Sequence, residues 1–301
     1  MTKHYLSMLD MDPETAKTVL ARALEMKRTR HRSQLLDGKV IALLFEKAST
    51  RTRLSFEVAV RQLGGEALFL SARETQLGRN EPVRDFARVV SRYLDGLVVR
   101  TYAQQTLDEL VAFSSIPVVN ALSDQFHPCQ TLSDLLTIYE RRPDLENLVI
   151  AWVGDGNNMA NSWMNAAALF PFTLQMATPR GFEPSADVLA RAQRLGARIE
   201  LGNDPVAAVK GAHFVNTDVW VSMGQDDPEG DKRAAFEPFQ VNSALMAQAA
   251  EGAMFMHCLP AHRSEEVTET VFESKVSIVW DQAENRLHTQ KAILEWIFTQ
   301  D

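Results

Sequence analysis

The chain is poor in everything that would staple it or embed it. Its 301 residues include only 2 cysteines, Cys129 and Cys258, far apart and with no CxxC partner. That excludes a disulfide framework, leaves a structural zinc site unsupported and favours a reducing compartment. Apolar runs are short, Ile41-Ala42-Leu43-Leu44-Phe45 being among the longest, where a membrane helix needs about 20 apolar residues. The first ten residues lack an apolar stretch and meet Asp10 at once, so they do not read as a signal peptide. Positive charge is in deficit, with 31 Lys and Arg against 39 Asp and Glu and a formal net charge of −8. A polyanion binder needs a basic face, so nucleic acid and anionic membrane are excluded as partners. There is no internal repeat and no low-complexity segment. The expectation is an acidic, cytoplasmic protein of roughly two domains at ~150 residues each.

What is present is an alternation of β-rich runs with amphipathic stretches. Strands are predicted at Lys39–Phe45, Ala67–Leu70, Gly96–Arg100, Pro117–Asn120, Leu148–Val153, Thr173–Ala177, Ala212–Asn216, Ala253–Met256 and Ser277–Trp280. Helices are predicted near 51–63, 130–141, 159–169, 185–195 and 283–298. In the first of these, Leu54, Val58, Ala59 and Leu63 form the apolar stripe, and Gly64-Gly65 ends it. Such alternation predicts an α/β fold of βαβ units: two domains, each a parallel sheet flanked by helices. The pattern breaks at Arg141-Arg142-Pro143-Asp144. Open parallel sheets bind ligands beyond the carboxyl ends of their strands, so polar motifs placed there are the first candidates for function.

Ser49-Thr50-Arg51-Thr52-Arg53 lies between a strand and a helix. One hydroxyl suffices for an N-cap, whereas three hydroxyls and two guanidiniums at a helix N-terminus suit a phosphate or carboxylate. Arg100 ends a buried strand, and His127-Pro128-Cys129-Gln130 opens a helix with two donors, His127 and Gln130, able to polarise a carbonyl oxygen. A satisfied structural histidine is the plainer alternative. Gly154-Asp155-Gly156-Asn157-Asn158 begins as a dinucleotide fingerprint, but Met159 replaces the third glycine and no acidic residue ends the next strand. A nicotinamide-dependent dehydrogenase is therefore unsupported. In Asp218-Val219-Trp220-Val221-Ser222-Met223-Gly224, Asp218 suits an ammonium and the Ser-Met-Gly segment a carboxylate, together an amino-acid recognition set. Cys258, in His257-Cys258-Leu259-Pro260, is a nucleophile, a proton acceptor or a small buried hydrophobe. Arg286 opens the last helix within reach of an anion. Gln225–Arg233 is the most polar stretch and reads as a surface loop.

Taken in order, Phe45–Arg53, Arg100, His127–Gln130, Gly154–Asn158, Asp218–Gly224, His257–Pro260 and Arg286 resemble the aspartate/ornithine transcarbamoylase family over nearly the whole chain. The Asp-x-x-x-Ser-Met-Gly and His-Cys-Leu-Pro segments resemble its ornithine-specific branch and are missing from the aspartate-specific one. The resemblance implies transfer of a carbamoyl group from carbamoyl phosphate to the δ-amine of L-ornithine, giving L-citrulline and phosphate, in arginine biosynthesis rather than catabolism. An N-acylornithine or putrescine is the alternative acceptor. It implies a carbamoyl phosphate domain, residues 1–138 plus 285–301, to which the final helix returns, and an ornithine domain, residues 139–284. Ser49, Thr50, Arg51 and Thr52 are expected on the phosphate. Arg100, His127, Gln130 and Arg286 are expected on the carbamoyl group, beside the backbone of Cys258 and Leu259. Gln76 is expected to reach a neighbouring subunit's site in a homotrimer. Asn158, Asp218, Ser222 and Met223 are expected to hold ornithine, with Cys258, Asp218, Arg100 and His127 taking part in catalysis. No metal or organic cofactor is implied.

Overall fold

The structure is a computed structural model and describes residues 2–71, 75, 81–221 and 231–299. The chain divides into two compact units, Met1–Leu136 with Glu284–Asp301, and Thr137–Ala283. The N-terminal unit runs α1 (Pro13–Arg28), β1 (Val40–Phe45), α2 (Thr50–Gln62), β2 (Glu66–Ser71), α3 (Val83–Val90), β3 (Gly96–Arg100), α4 (Gln104–Phe113), β4 (Val118–Leu122) and α5 (Pro128–Tyr139). The second runs β5 (Val149–Val153), α6 (Asn158–Ala167), β6 (Thr173–Ala177), α7 (Ala186–Arg194), β7 (Arg198–Gly202), α8 (Pro205–Val209), β8 (Phe214–Thr217), α9 (Asp231–Phe236), α10 (Ser243–Met246), β9 (Met254–His257) and α11 (Glu269–Phe272). The last helix, α12 (Val279–Phe298), starts in the second unit and returns to the first, where Glu295 takes the guanidinium of Arg22 on α1 at 2.6 Å.

Each sheet is parallel throughout, in the orders β2-β1-β3-β4 and β7-β6-β5-β8-β9. The α/β class expected from the alternation is the class observed. Central strands are covered on both faces, so β3 is buried at all five positions, as continuous apolar runs in parallel sheets require. Leu97, Val99, Leu107 and Leu110 belong to one core; Val153, Val215, Phe255 and Val279 to the other. Each fully buried aliphatic side chain contributes about 1.5–3 kcal/mol. Helix starts are encoded locally: Asp12 caps α1 with Pro13 behind it, Ser49 caps α2, and Asn157 caps α6 through the N–H groups of Met159 and Ala160.

Three local expectations are corrected. Ser277–Trp280 is no strand: Ser277 makes one bridge to Phe255, and Val279 and Trp280 already belong to α12. A short buried apolar run does not distinguish the two states. On α2 the buried face is Thr52, Phe56, Ala59 and Val60, while Leu54 and Val58 are exposed, because apolar residues four apart occur on two faces of that helix. β7 has no counterpart among the predicted strands, since an edge strand exposed at four of five positions carries no hydrophobic signal. Among the described residues no helix is long and apolar enough to cross a membrane.

Candidate active site

In both sheets the chain winds outward from a central strand in both directions. The reversal falls between β1 and β3 in the first unit and between β5 and β8 in the second. At such switch points the loops leaving neighbouring strands diverge, opening a crevice beyond the strand ends. The polar motifs gather at these two places.

In the first unit Ser49 Oγ accepts the Thr52 N–H at 3.3 Å and donates to Thr52 Oγ1 at 2.9 Å, fixing the first turn of α2. Thr50 is exposed at the head of the helix. Arg51 is half-buried, and its buried Nε has no hydrogen-bond partner in the protein. Thr52 is fully buried and accepts Arg286 Nη2 at 2.5 Å, a bond across 234 positions of sequence. Arg100 ends β3 and is 7% exposed; His127, before α5, is 4% exposed. Burial holds the His127 imidazole well below its ordinary pKa, and the guanidiniums of Arg286 and Arg100 push it further down. Arg100, His127 and Arg286 are thus electrostatic neighbours, and the histidine is the neutral donor of the three. Gln130 gives its amide to Asp134 Oδ1 at 2.8 Å, leaving its buried Oε1 without a partner. Asp134, fully buried one turn further along α5, was missed in the sequence; the i, i+4 spacing from Gln130 was its only signal. Cys129 donates to the Asn120 carbonyl at 3.3 Å, and burial pushes its thiol to about 12, which makes it an inert core residue.

Arg53 departs from the expected convergence of two guanidiniums. It pairs with Glu57 at 2.8 Å and lies 3.7 Å over the Phe69 ring, so it is committed to its own helix surface. The positive charge beside Thr52 comes from Arg286 instead.

In the second unit Gly154, at φ +138°, turns the chain out of β5. Gly156 then passes so close to the Phe182–Pro184 loop that a Cβ would sit 2.2 Å from the Pro184 nitrogen. Gly154 serves the positive φ and Gly156 the close backbone approach. Asn157 caps α6 with its carbonyl and gives its amide N–H to Asp218 Oδ2 at 2.8 Å. Asn158 begins α6 and is half-buried. Asp218, 8% exposed, also accepts the Val219 N–H at 2.8 Å and the Cys258 thiol at 3.0 Å, both on Oδ1. His257 is fully buried: its Nδ1 accepts the Leu259 N–H at 2.9 Å, so Nε2 carries the proton and donates to Glu266 at 3.0 Å. Leu259 sits at φ +60°. Asp218, His257 and Cys258 bring donor atoms within 4.8 Å of one another, but both ring nitrogens of His257 are spent on hydrogen bonds. Glu266, Asn157 as a partner of Asp218, and Lys232, which holds Asp155 at 2.8 Å, were not singled out in the sequence. Cys258 and Leu259 belong to the second unit, the other residues expected on the carbamoyl group to the first. Gln76, Ser222 and Met223 lie outside the described residues, as do residues 225–230 of the polar stretch.

Two parallel sheets with arginines, hydroxyls and a buried carboxylate gathered at their switch points define an α/β protein of the kind that binds small ligands beyond its strand ends. Comparison with known proteins narrows the class. Residues 3–140 match the family model described as aspartate/ornithine carbamoyltransferase, carbamoyl-P binding domain, and residues 146–297 that of the Asp/Orn binding domain. The chain belongs to the aspartate/ornithine carbamoyltransferase family. It is 62% identical over 297 residues to the ornithine carbamoyltransferase of Oleidesulfovibrio alaskensis, covering 99% of both chains. It is 52% identical to the anabolic ornithine carbamoyltransferase of Pseudomonas aeruginosa, covering 97% of this chain and 96% of that one. The solved ornithine carbamoyltransferase from Pyrococcus furiosus superposes with a TM-score of 0.93 at 45% identity, covering 98% of this chain and 96% of that one.

Proposed function

We propose that the chain transfers the carbamoyl group of carbamoyl phosphate to the δ-amine of L-ornithine, giving L-citrulline and phosphate. The observation that carries the acceptor is Asp218, a buried carboxylate held by Asn157, the Val219 N–H and the Cys258 thiol. A free α-amino acid offers it a cation, which an N-acylated ornithine lacks. Putrescine would leave the Ser222-Met223 segment without a carboxylate.

Carbamoyl phosphate is assigned to the first unit. Ser49, Thr50, Arg51 and Thr52 take the phosphate at the positive end of α2, where free N–H groups and the dipole favour an anion. Arg100, His127, Gln130 and Arg286 take the carbamoyl oxygen, with the backbone of Cys258 and Leu259 completing its binding. Ornithine is assigned to Asn158, Asp218, Ser222 and Met223. Its δ-ammonium, with an ordinary pKa of about 10.4, is not nucleophilic until it loses a proton, and Asp218 with Cys258 is the acceptor pair. The neutral amine adds to the carbamoyl carbon. The oxygen then gains negative charge, which Arg100, Arg286 and the neutral His127 stabilise as fixed donors. Collapse breaks the carbon–oxygen bond to phosphate, which leaves with the electron pair, and the nitrogen sheds its second proton.

The biosynthetic direction, a cytoplasmic location and a homotrimer in which Gln76 reaches a neighbour's site complete the proposal. The anabolic name of the Pseudomonas aeruginosa relative supports the direction. Steady-state citrulline formation, with putrescine and N-acetylornithine as rival acceptors and with the reverse reaction measured alongside, tests it. A preference for either rival over ornithine would overturn the acceptor assignment.

A further inference from the structure

Two buried carboxylates share the β5/β8 switch point. Asp155, in the turn after β5, is 6% exposed, and Asp218, after β8, is 8% exposed. Burial, and secondarily the charge of Asp218, pushes the Asp155 carboxyl above its usual range, against the pull of Lys232. Lys232, on α9, sets its ammonium 2.8 Å from Asp155 Oδ2, with the two side chains 15% and 9% exposed. The same ammonium lies 5.4 Å from the ring centres of both Phe182 and Phe236, which meet edge to face at 4.9 Å. A cation held by one carboxylate and two aromatic faces is a fixed charge, unlike a lysine swinging in solvent. Around it the turn is tied down. The Asp155 carbonyl accepts Trp152 Nε1 at 2.9 Å, and the Gly156 N–H donates to the Phe182 carbonyl at 3.0 Å. The next residue, Asn157, donates to Asp218.

We propose that Lys232 is a positioning residue for ornithine: by clamping Asp155 it keeps the Asp155–Asn158 turn in place and a second negative charge beside Asp218. This deepens the function proposed above and rests on it. Ornithine carries two ammonium groups and one carboxylate, and among the described residues two carboxylates with one internal cation leave a net negative charge at this turn. Among the described residues the charged groups facing Asp155 are Lys232 from α9 and Asp218 from the loop after β8, whose Oδ1 takes the Cys258 thiol. Glu183, in the neighbouring loop, is occupied by the Gly181 N–H at 2.9 Å. Without the ammonium, Asp155 is a buried acid beside another carboxylate. Both contributions of Lys232 that lower its pKa are gone, so the carboxyl moves further up, keeps its proton to higher pH, and the site loses one charge that attracts ornithine. At alkaline pH that proton is lost and the charge returns.

The test is steady-state citrulline formation from pH 6 to 9.5 on the full chain, comparing wild type, Lys232→Met, Lys232→Arg and the double variant Asp155→Asn/Lys232→Met. Lys232→Met should raise the ornithine KM about tenfold at neutral pH and move the acid limb of kcat/KM for ornithine up by about one unit. The KM for carbamoyl phosphate should stay within about twofold, and Lys232→Arg should restore both ornithine measures. The double variant has no unpaired buried charge and so keeps its fold. It should show the raised KM at every pH without alkaline recovery. A wild-type KM and acid limb in Lys232→Met, an arginine variant as impaired as methionine, or alkaline recovery in the double variant would each overturn the proposal. A wild type that forms no citrulline overturns the parent function instead. Calorimetric ornithine binding to wild type and Lys232→Met then reads the Lys232 effect separately, a tenfold weaker affinity supporting it and an equal one refuting it.

Discussion

Replacing Gly156 by alanine isolates the turn that presents Asn157 and Asn158. The added Cβ would lie 2.2 Å from the Pro184 nitrogen, 2.3 Å from the Glu183 carbonyl carbon and 2.5 Å from the Phe182 oxygen, where ordinary contact begins at 3.4 Å. All three obstacles are backbone, so no side-chain rotation relieves them, and one of the two loops must retreat by about 1 Å. That retreat strains the bond from the Gly156 N–H to the Phe182 carbonyl and carries Asn157 away from Asp218. Overpacking of this kind costs about 1–3 kcal/mol, and each 1 kcal/mol lowers Tm by about 2–4 °C for a folding unit of about 150–250 residues. A misplacement of about 1 Å at a reacting centre costs on the order of 100-fold in rate. Citrulline formation with ornithine varied at saturating carbamoyl phosphate should therefore lose about two orders of magnitude in kcat/KM for ornithine. Carbamoyl phosphate should still raise Tm, because Ser49, Thr52 and Arg286 belong to the other unit. Wild-type ornithine kinetics in Gly156→Ala, or loss of carbamoyl phosphate protection with ornithine kinetics intact, would refute the reasoning.

Cys258→Ala removes one of the two donors to Asp218 Oδ1, leaving the Val219 N–H. A hydrogen bond to a charged group is worth about 1.5–3 kcal/mol, so kcat/KM for ornithine should fall about 10- to 100-fold while the KM for carbamoyl phosphate holds. Arg286→Met removes the cation bound to Thr52 and one of the two that depress His127. The KM for carbamoyl phosphate should rise by on the order of 100-fold, and the His127 pKa, followed by NMR, should move back towards its ordinary value. His127 also makes stability depend on pH. Its folded pKa lies well below the unfolded 6.5, so the unfolded chain binds the extra proton, and stability is complete above that value and lost as pH falls through it. The loss is at most about 1.4 kcal/mol per pH unit, and urea unfolding of His127→Gln from pH 7 to 5 should show a slope shallower by that amount.

Much of the site was legible before the fold because each motif is a local object. Ser49 needs only the following N–H groups to become a cap, and Asn157 likewise. Strand ends were visible as apolar runs, so the polar residues beyond them could be weighed for binding. Where the sequence misled, the deciding contact was distant. Arg53 carries the same charge as Arg51, but Glu57 and the Phe69 ring take it. Leu54 and Val58 repeat at helical spacing, yet it is Phe56 and Val60 that meet the sheet. Lys232 sits in a run of charges that reads as a solvated loop, and the carboxylate that claims it lies 77 residues earlier.

The absence of disulfides and long apolar runs, the α/β alternation, the helix starts and the inventory of candidate phosphate- and amine-binding groups all follow from composition and short-range spacing. These features depend on neighbours a few residues away, and local propensity and hydrogen bonding settle them. Strand order does not. That β1 lies beside β3, and β5 beside β8, comes from how the crossovers pack, and it is this order that creates the two switch points. The same holds for the bonds that give the site its electrostatics: Arg286 to Thr52, Cys258 to Asp218, Lys232 to Asp155. Each joins groups 40 to 234 positions apart, and a charge becomes a catalytic or positioning group only once burial removes water and fixes it against groups brought from elsewhere in the chain.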